Sequence, residues 1–399
     1  MKKIKILKRK KGRLVSRVMT AVMVVGLLAV MPLTVSAQTA TINLGSLGGA
    51  DLNNYDTGEP RWTYNAFANL LTLMGTGPYI LTGYNSNIAV QAATGPNVTL
   101  QNTVFSHPNR SPLEITNATI TLIGSNQITA PQNPLVVREN CTVTSSTYGS
   151  LTLENTENDA IYVRVDANLS ITGSAIINAN AQTGARGAMV CMGNNIINVG
   201  KTARLNLTAQ GSSNQIGIYG PGSFTLNADG IITVKAHGVV IYPTSNGPLT
   251  LSGTGSILAI NTDSSYAFSP WSHQNILMDD SITLTMVNND PSYSETHTFE
   301  ASNTSSTREW ALTGDLTTSD PLTNAIITVT LGAGQTGTIS RKVGKPGDLN
   351  GDDAVNGADM NILLTDFGNS SGFNPDADLN SDGAVNGADM NILLSNFGK

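Results

Sequence analysis

The sequence predicts an all-β fold, a right-handed parallel β-helix closed by a β-rich cap, with a small α-helical module after it. Three observations carry that prediction. Short β-type runs recur at a coil-like spacing, each later coil divides into three such runs, and the C-terminal segment holds a duplication of a different, helical character. Charged residues make up 13% and aromatics 5% of the chain, with Asn, Thr, Ser and Gly abundant. That balance suits a solenoid, in which β-branched residues fill strands and small polar ones form the turns.

The coil signal runs through Val98–Leu100, Thr119–Thr121, Thr142–Thr144, Leu169–Ile171, Ile196–Ile197, Phe224–Leu226 and Leu249–Leu251. Their first residues lie 21, 23, 27, 27, 28 and 25 apart, the length of one coil in a stacked repeat. A second run follows in each later coil: Leu151–Glu154, Ala175–Asn178, Leu205–Leu207, Ile231–Val234 and Ile257–Ile260. A third is Ala160–Val163, Ala188–Cys191, Ile216–Tyr219, Gly238–Tyr242 and Tyr266–Phe268. Inward Ile, Leu and Val would stack coil on coil into one continuous core. A β-sandwich also strings short strands at roughly 8–12 residues, and the grouping in threes is what separates the two.

This organisation divides the chain into a leader (1–37), the β-helix (38–275), a β-rich cap or subdomain (276–340), a linker (341–346) and the helical module (347–399). Residues 38–64, with Trp62, are expected to cover the start of the solenoid, because a solenoid needs its ends closed. At the far end Ile282–Met286, Glu309–Thr313 and Ala325–Leu331 read as strands outside the coil period.

The first seventeen residues carry nine Lys or Arg and no acid, Val18 to Val35 is almost wholly apolar, and Val35-Ser36-Ala37 offers a small-residue cleavage site. That is the pattern of a secretory signal peptide; a single membrane anchor is the alternative, which the polar Gln38-Thr39 disfavours. Cleavage would leave 13 basic against 28 acidic residues, a net charge of −15. Such a balance argues against nucleic acid as a partner, and no later apolar run could span a bilayer. Cys141 and Cys191 are too few for a disulfide framework and wrongly spaced for zinc. They read as free buried thiols, with one exported disulfide as the alternative.

The duplication pairs Asp348–Asp359 with Asp378–Asp389, each followed by Met-Asn-Ile-Leu-Leu. Oxygen-bearing side chains fall at positions 1, 3, 5, 9 and 12 of each twelve-residue loop, with a backbone carbonyl at position 7, the donor spacing of a calcium loop. Loop one offers Asp348, Asn350, Asp352, the Ala354 carbonyl, Asn356 (directly or through water) and Asp359. Loop two offers Asp378, Asn380, Asp382, the Ala384 carbonyl, Asn386 and Asp389. The expectation is one calcium ion per loop. Position 6 is Gly383 in loop two but Asp353 in loop one, where the sharp turn favours glycine, so loop one is expected to bind more weakly.

Two loop-plus-helix repeats with Asp at position 12, ending an exported chain, resemble a dockerin; the resemblance covers about 347–399. It implies a fold organised around two calcium ions and a cohesin partner on a scaffold or surface protein, met by the end of each loop and the following helix. The implied contact residues are Gly357, Ala358, Leu363, Leu364 and Thr365, with Gly387, Ala388, Leu393, Leu394 and Ser395 in the second copy. Cellulosomal dockerins commonly carry Ser-Thr and Lys-Arg at such positions, whereas this chain has Gly-Ala and Leu-Leu. The pattern is more similar to dockerin-type modules outside cellulosomes.

Residues about 60–270 resemble, at the level of pattern, the solenoid carbohydrate-binding domains of secreted proteins. Tyr162, Tyr219 and Tyr242 occupy equivalent places in the third run, with Cys191 expected in the intervening coil and Tyr266 nearby. Alternation sets Ile161, Ile218 and Ile241 opposite the tyrosines. Facing outward, the rings would form a ladder for sugar stacking, with Arg138 and Arg164 as hydrogen-bonding groups at one edge. The expected function is therefore a secreted, non-catalytic polysaccharide-binding or adhesive protein. A polysaccharide lyase or hydrolase on the same scaffold is the alternative, with Asp159, Asp166, Asp263, Arg164 and Arg186 as its acids and bases; a purely structural surface protein is a third reading.

Overall fold

A computed structural model describes residues 39–48, 52–53, 61–75, 77–93, 95–182, 187–211, 215–244, 248–262, 276–279, 281–302, 309–341, 345–350, 354–380 and 382–398. The expected leader, and with it the cleavage site, lies outside these residues. So do Tyr266, Asp263, Arg186, Asp352 and Asp353.

The described chain winds into a parallel β-solenoid of about seven turns. One coil consists of Cys141–Ser145, Ser150–Asn155 and Ile161–Val163, and the next of Leu169–Gly173, Ile176–Ala181 and Gly187–Cys191. Each strand pairs in parallel with its counterpart one coil on: Val143 with Ile171, Leu151 with Ile177, Ile161 with Met189. First and second strands share one 22-stranded sheet, and third strands form a separate 10-stranded sheet. The three-strand coil expected from the sequence is thus observed, and no sandwich of antiparallel layers is formed by the described residues.

Alternation explains why these segments become strands. Leu169–Gly173 and Ser150–Asn155 bury every second residue, and the buried ones fall in register with buried ones above and below. One inward column reads Cys141, Leu169, Ile197, Leu226, Leu251 and Met278, all nearly inaccessible to solvent. Parallel pairing at one residue per rung makes this column continuous, so each coil completes the core of its neighbour. Four of the repeat steps expected from the sequence are one residue short of the observed register; Ser170, not Leu169, pairs with Thr142. A strand's first residue is no guide to its face, and register follows the buried set instead.

Corners are held by inward asparagines that bond to the coil before. Asn155 Nδ2 donates to the Gln132 carbonyl at 2.8 Å, and Asn195 Nδ2 to the Arg164 carbonyl at 2.7 Å. Outward asparagines form ladders, Asn178 to Asn206 at 2.9 Å and Asn198 to Asn227 at 3.0 Å. Buried backbone polar groups at a corner have few strand partners, and these amides satisfy them.

The parallel ladder runs past the expected boundary at 275. Ile276–Met278 pairs in parallel with Leu249–Ser252, and Thr283–Asn288 with Ser256–Asn261. Beyond them direction reverses: Thr336–Arg341 runs antiparallel to Thr283–Asn288, and Ile326–Leu331 antiparallel to Glu295–Ala301. Arg341, expected to open the linker, ends a strand instead, with its guanidinium 4.7 Å from the centre of the buried Trp310 ring. At the other end Leu52–Asn53, Arg61–Asn65 and Leu70–Met74 form an antiparallel start to the third sheet.

Both cysteines are free and buried. Burial pushes the Cys191 thiol up to about 12, and desolvation also raises Cys141. Since the thiolate is the nucleophile, neither thiol should react with a thiol reagent in the native protein at pH 8. Both should label at once in denaturant, a contrast that mass spectrometry of the alkylated protein reads directly.

Among the described residues two α-helices occur, α1 (Gly357–Asp366) and α2 (Gly387–Asn396). They share a small core of Val355, Leu363, Ala377, Val385 and Leu393, separate from that of the solenoid.

Candidate functional site

Two places in the fold gather chemistry. The first is the pair of loops that lead into α1 and α2. Asn356 and Asn386 cap the two helices, each side chain accepting from the backbone N–H two residues on at 2.8 Å. Asp359 and Asp389 close a capping box with them. Each of these aspartates also reaches back across its loop. Asp359 Oδ1 accepts from the Leu349 and Asn350 N–H groups at 2.7 and 3.1 Å, and Asp389 Oδ1 from Asn380 N–H at 3.1 Å. Position 12 is therefore fully buried in both copies.

In the second loop Asp378, Asp382 and Asp389 bring one carboxylate oxygen each within 4.8 Å of one another. Gly383 has φ +88°, a conformation costly for any side chain, which lets its N–H turn in to Asp378 Oδ2 at 2.8 Å. Donation from the Asn380 and Asn386 amides and the Ala384 N–H holds the Asp382 carboxyl below the ordinary value. Three carboxylates so close repel one another unless a cation lies among them. Hard oxygen donors converging on one point, with a glycine at the sharp turn, fit a divalent cation such as calcium or magnesium. Loop one repeats the hydrogen bonds of loop two where it is described: Asp359 accepts from the Asn350 and Asn356 N–H groups as Asp389 does from Asn380 and Asn386, and Asn356 Nδ2 donates to the Ala354 carbonyl as Asn386 Nδ2 does to that of Ala384.

The helices sort the expected partner contacts. Gly357, Ala358, Thr365, Gly387, Ala388 and Ser395 are exposed, as are Leu364 and Leu394 at 51% and 48%. Leu363 and Leu393 are completely buried in the module core and cannot meet a partner without unfolding it. The Leu-Leu pair in each repeat therefore divides, one residue inward and one outward, as adjacent helix positions must. Phe367 and Phe397, which the sequence reading missed, stand beside the outward leucines at 47% and 45% exposure. Their repeat at the end of each helix was a readable signal.

The second place is the outer face of the third sheet. One register column contains, in order, Gln91, Glu114, Val136, Tyr162, Val190, Tyr219 and Tyr242. Tyr162, Tyr219 and Tyr242 point outward and are half-buried, while Ile161, Ile218 and Ile241 beside them are sealed in the core. Tyr219 and Tyr242 sit on adjacent coils with ring centres 6.0 Å apart and planes tilted by 45°. The position between Tyr162 and Tyr219 is Val190, not Cys191. Cys191 pairs with Val163 and faces the core, so the expected placement was out by one residue.

Arg138 and Arg164 take the next outward positions on their coils. Arg164 is exposed. Arg138 is already committed, its Nε and one terminal nitrogen reaching Glu114 Oε2 at 2.8 and 2.6 Å. At the same end of the column a cleft of about 330 Å³ is lined by Gln91, Asn109, Arg110, Glu114 and Gln132 among others.

Of the residues of the catalytic alternative, Asp159, Arg164 and Asp166 are described, and Asp159 joins coils. Asp159 is buried and accepts the Gly187 N–H at 3.0 Å, stitching one coil to the next. Asp166 occupies a turn at φ +58°, exposed. No family model, no curated protein and no solved structure matches the chain.

Proposed function

We propose that this is a secreted, non-catalytic polysaccharide-binding protein whose β-solenoid carries the sugar-binding face and whose C-terminal module is a calcium-dependent, dockerin-like tether to a cohesin on a scaffold or cell surface. The observation that carries the reading is the duplicated acidic loop, whose position-12 aspartate closes a capping box in both copies and in loop two lies within 4.8 Å of Asp378 and Asp382. Calcium would be held in loop two by Asp378, Asn380, Asp382, the Ala384 carbonyl, Asn386 and Asp389, and in loop one by Asp348, Asn350, Asp352, the Ala354 carbonyl, Asn356 and Asp359. Bound there, it supplies the positive charge that the converging carboxylates need. The chain's own residues then present Ala358, Leu364, Thr365 and Phe367, and their copies Ala388, Leu394, Ser395 and Phe397, as a partly apolar docking surface.

On the solenoid, outward aromatic rings offer flat apolar faces with a polar edge, which suit the faces of pyranose rings. Their rigidity matters: a stacked sheet fixes the rings before any ligand arrives, so little conformational entropy is lost on binding. The test is native electrophoresis of the mature chain through gels containing embedded polysaccharides, with calcium or chelator, stained afterwards for cleared zones. Retardation without clearing is expected. A cleared zone would overturn the non-catalytic reading, and migration unaffected by every polysaccharide would overturn sugar binding.

The double variant Tyr219→Ala/Tyr242→Ala should lose most of the retardation. Two stacking contacts at about 0.5–1.5 kcal/mol each beyond buried area correspond to a roughly five- to hundredfold loss of affinity. The fold should survive, because both side chains lie outside the core. Unchanged retardation of the double variant would remove the tyrosines from the site.

A further inference from the structure

We infer that the cleft at Gln91 and Glu114 is the anchoring subsite of the same face, with Glu114 as its specificity-determining residue, and that the ligand is an uncharged, hydroxyl-rich polysaccharide rather than a polyuronate. This rests on the carbohydrate-binding reading and extends it. Gln91 and Glu114 are direct register partners, and the column continues from them through Val136 to Tyr162, Tyr219 and Tyr242. Seven rungs at the spacing of neighbouring strands, about 4.8 Å, make a strip roughly 29 Å long. Val136 and Val190 are buried, at 5% and 0% exposure, so cleft and tyrosines are separate accessible patches set along one register column.

The chemistry of the cleft follows from how Glu114 is held. Arg138 bonds Oε2 alone, through two of its nitrogens, which fixes the carboxylate plane. Among the described residues Oε1 accepts nothing from the protein, and Glu114 lines the cleft with its side chain only a quarter exposed. An oriented, partly desolvated carboxylate oxygen with no donor calls for a ligand hydroxyl, because hydrogen bonds to a charged acceptor are the strong ones. The Gln91 side chain, also without a hydrogen-bond partner among the described residues, adds a donor and an acceptor next to it. Arg110 and Asn109 supply further donors at the rim.

Local charge does not set the selectivity by itself, since Glu114 is paired with Arg138 and the exposed Arg110 stands at the rim. The acidic balance of the whole chain, 28 acidic against 22 basic residues, is what disfavours a polyanionic ligand. A neutral sugar carries no charge to be disfavoured, and its vicinal hydroxyls match Oε1 and the Gln91 amide on neighbouring rungs. At about 330 Å³ the cleft lies at the small end of ligand pockets, enough for a terminal sugar or one branch.

The experiment uses the mature chain and its Glu114→Gln, Gln91→Leu and Tyr219→Ala/Tyr242→Ala variants in gels containing xyloglucan, galactomannan or polygalacturonate. The wild-type protein is expected to be retarded by at least one neutral polysaccharide and not by polygalacturonate. Glu114→Gln, which keeps shape but loses charge, should weaken that binding at least tenfold, with a thermal midpoint within a few degrees of wild type. Gln91→Leu should weaken it several-fold and leaves the Arg138 contact intact, so it decides the matter should Glu114→Gln fail to fold. If both cleft variants bind as wild type while the tyrosine variant does not, the anchoring subsite is wrong and the sugar-binding reading stands. Retardation by polygalacturonate alone overturns the neutral class. Failure of wild type to bind anything sinks subsite and reading together.

Discussion

Chelation should melt α1 and α2 and leave the solenoid folded. Among the described residues the module core contains five buried apolar residues, Val355, Leu363, Ala377, Val385 and Leu393. A unit of this size seldom folds on hydrophobic burial alone and leans on a metal or disulfide; the two cysteines of this chain lie in the solenoid. Without a cation, the oxygens of Asp378, Asp382 and Asp389 face one another within 4.8 Å, so the loop geometry itself opposes folding. With one, the repulsion becomes attraction, and binding free energy is folding free energy. At a thousandfold excess over Kd, a site stabilises by about 4 kcal/mol.

Hydrogen–deuterium exchange with mass spectrometry separates the two parts of the chain. Amides of Gly357–Asp366 and Gly387–Asn396 should exchange within seconds in EGTA and be protected in calcium, while the strands of the solenoid stay protected in both. Asp389→Ala should do to α2 what EGTA does, since it removes a donor and the acceptor of the Asn380 and Asn386 N–H groups. Acid should act in the same direction. The folded-state pKa of Asp382 is depressed, so its contribution is present at neutral pH and lost as pH falls through the carboxylate range. Helix protection that ignores calcium would overturn the metal-organised module.

How much of this could be read beforehand differs between the two parts for a physical reason. The loops could be read as a local pattern, because a helix cap and a tight turn need particular side chains at neighbouring chain positions, and in loop two the structure gathers Asp378, Asp382 and Asp389. The solenoid was legible as a period and a three-strand grouping, because inward Ile, Leu and Val must recur once per coil. Its register was not, since coils of 22 to 29 residues absorb insertions at their corners; hence Cys191 was assigned the place that Val190 takes. Nor was the Arg138–Glu114 pair, which joins residues 24 apart in sequence that only the stacking of neighbouring coils brings to 2.6 Å. The end of the parallel ladder was placed too early, although Thr283–Asn288 keeps the inward pattern of Ser256–Asn261. Leu363 and Leu393 show the opposite limit: a resemblance transfers positions, and helix geometry then decides which of two adjacent leucines is free.

The second large effect concerns the column that joins the coils. Leu226 is fully buried, paired with Ile197 on one side and Leu251 on the other. Leu226→Ala should cost about 2–5 kcal/mol, the loss of transfer energy plus a cavity that stacked neighbours cannot collapse to fill. Because each coil contacts only its neighbours, the damage should be local in origin: exchange should rise first in Asn195–Val199, Phe224–Ala228 and Leu249–Ser252, with distant coils keeping their protection under mild denaturant. The outward Thr225→Ala, on the same strand, should cost within about 0.5 kcal/mol, as surface substitutions do. A globular sandwich would instead lose protection everywhere at once, since its core is shared by all strands. Urea titration of the two variants, read by exchange at each strand, therefore tests the one-dimensional character of the fold and not merely its stability. The same property bears on the binding face: a defect confined to three coils would disturb Val190, Tyr219 and Tyr242 on the third sheet while leaving Gln91 and Glu114 in place, so Leu226→Ala should weaken the aromatic patch and spare the cleft.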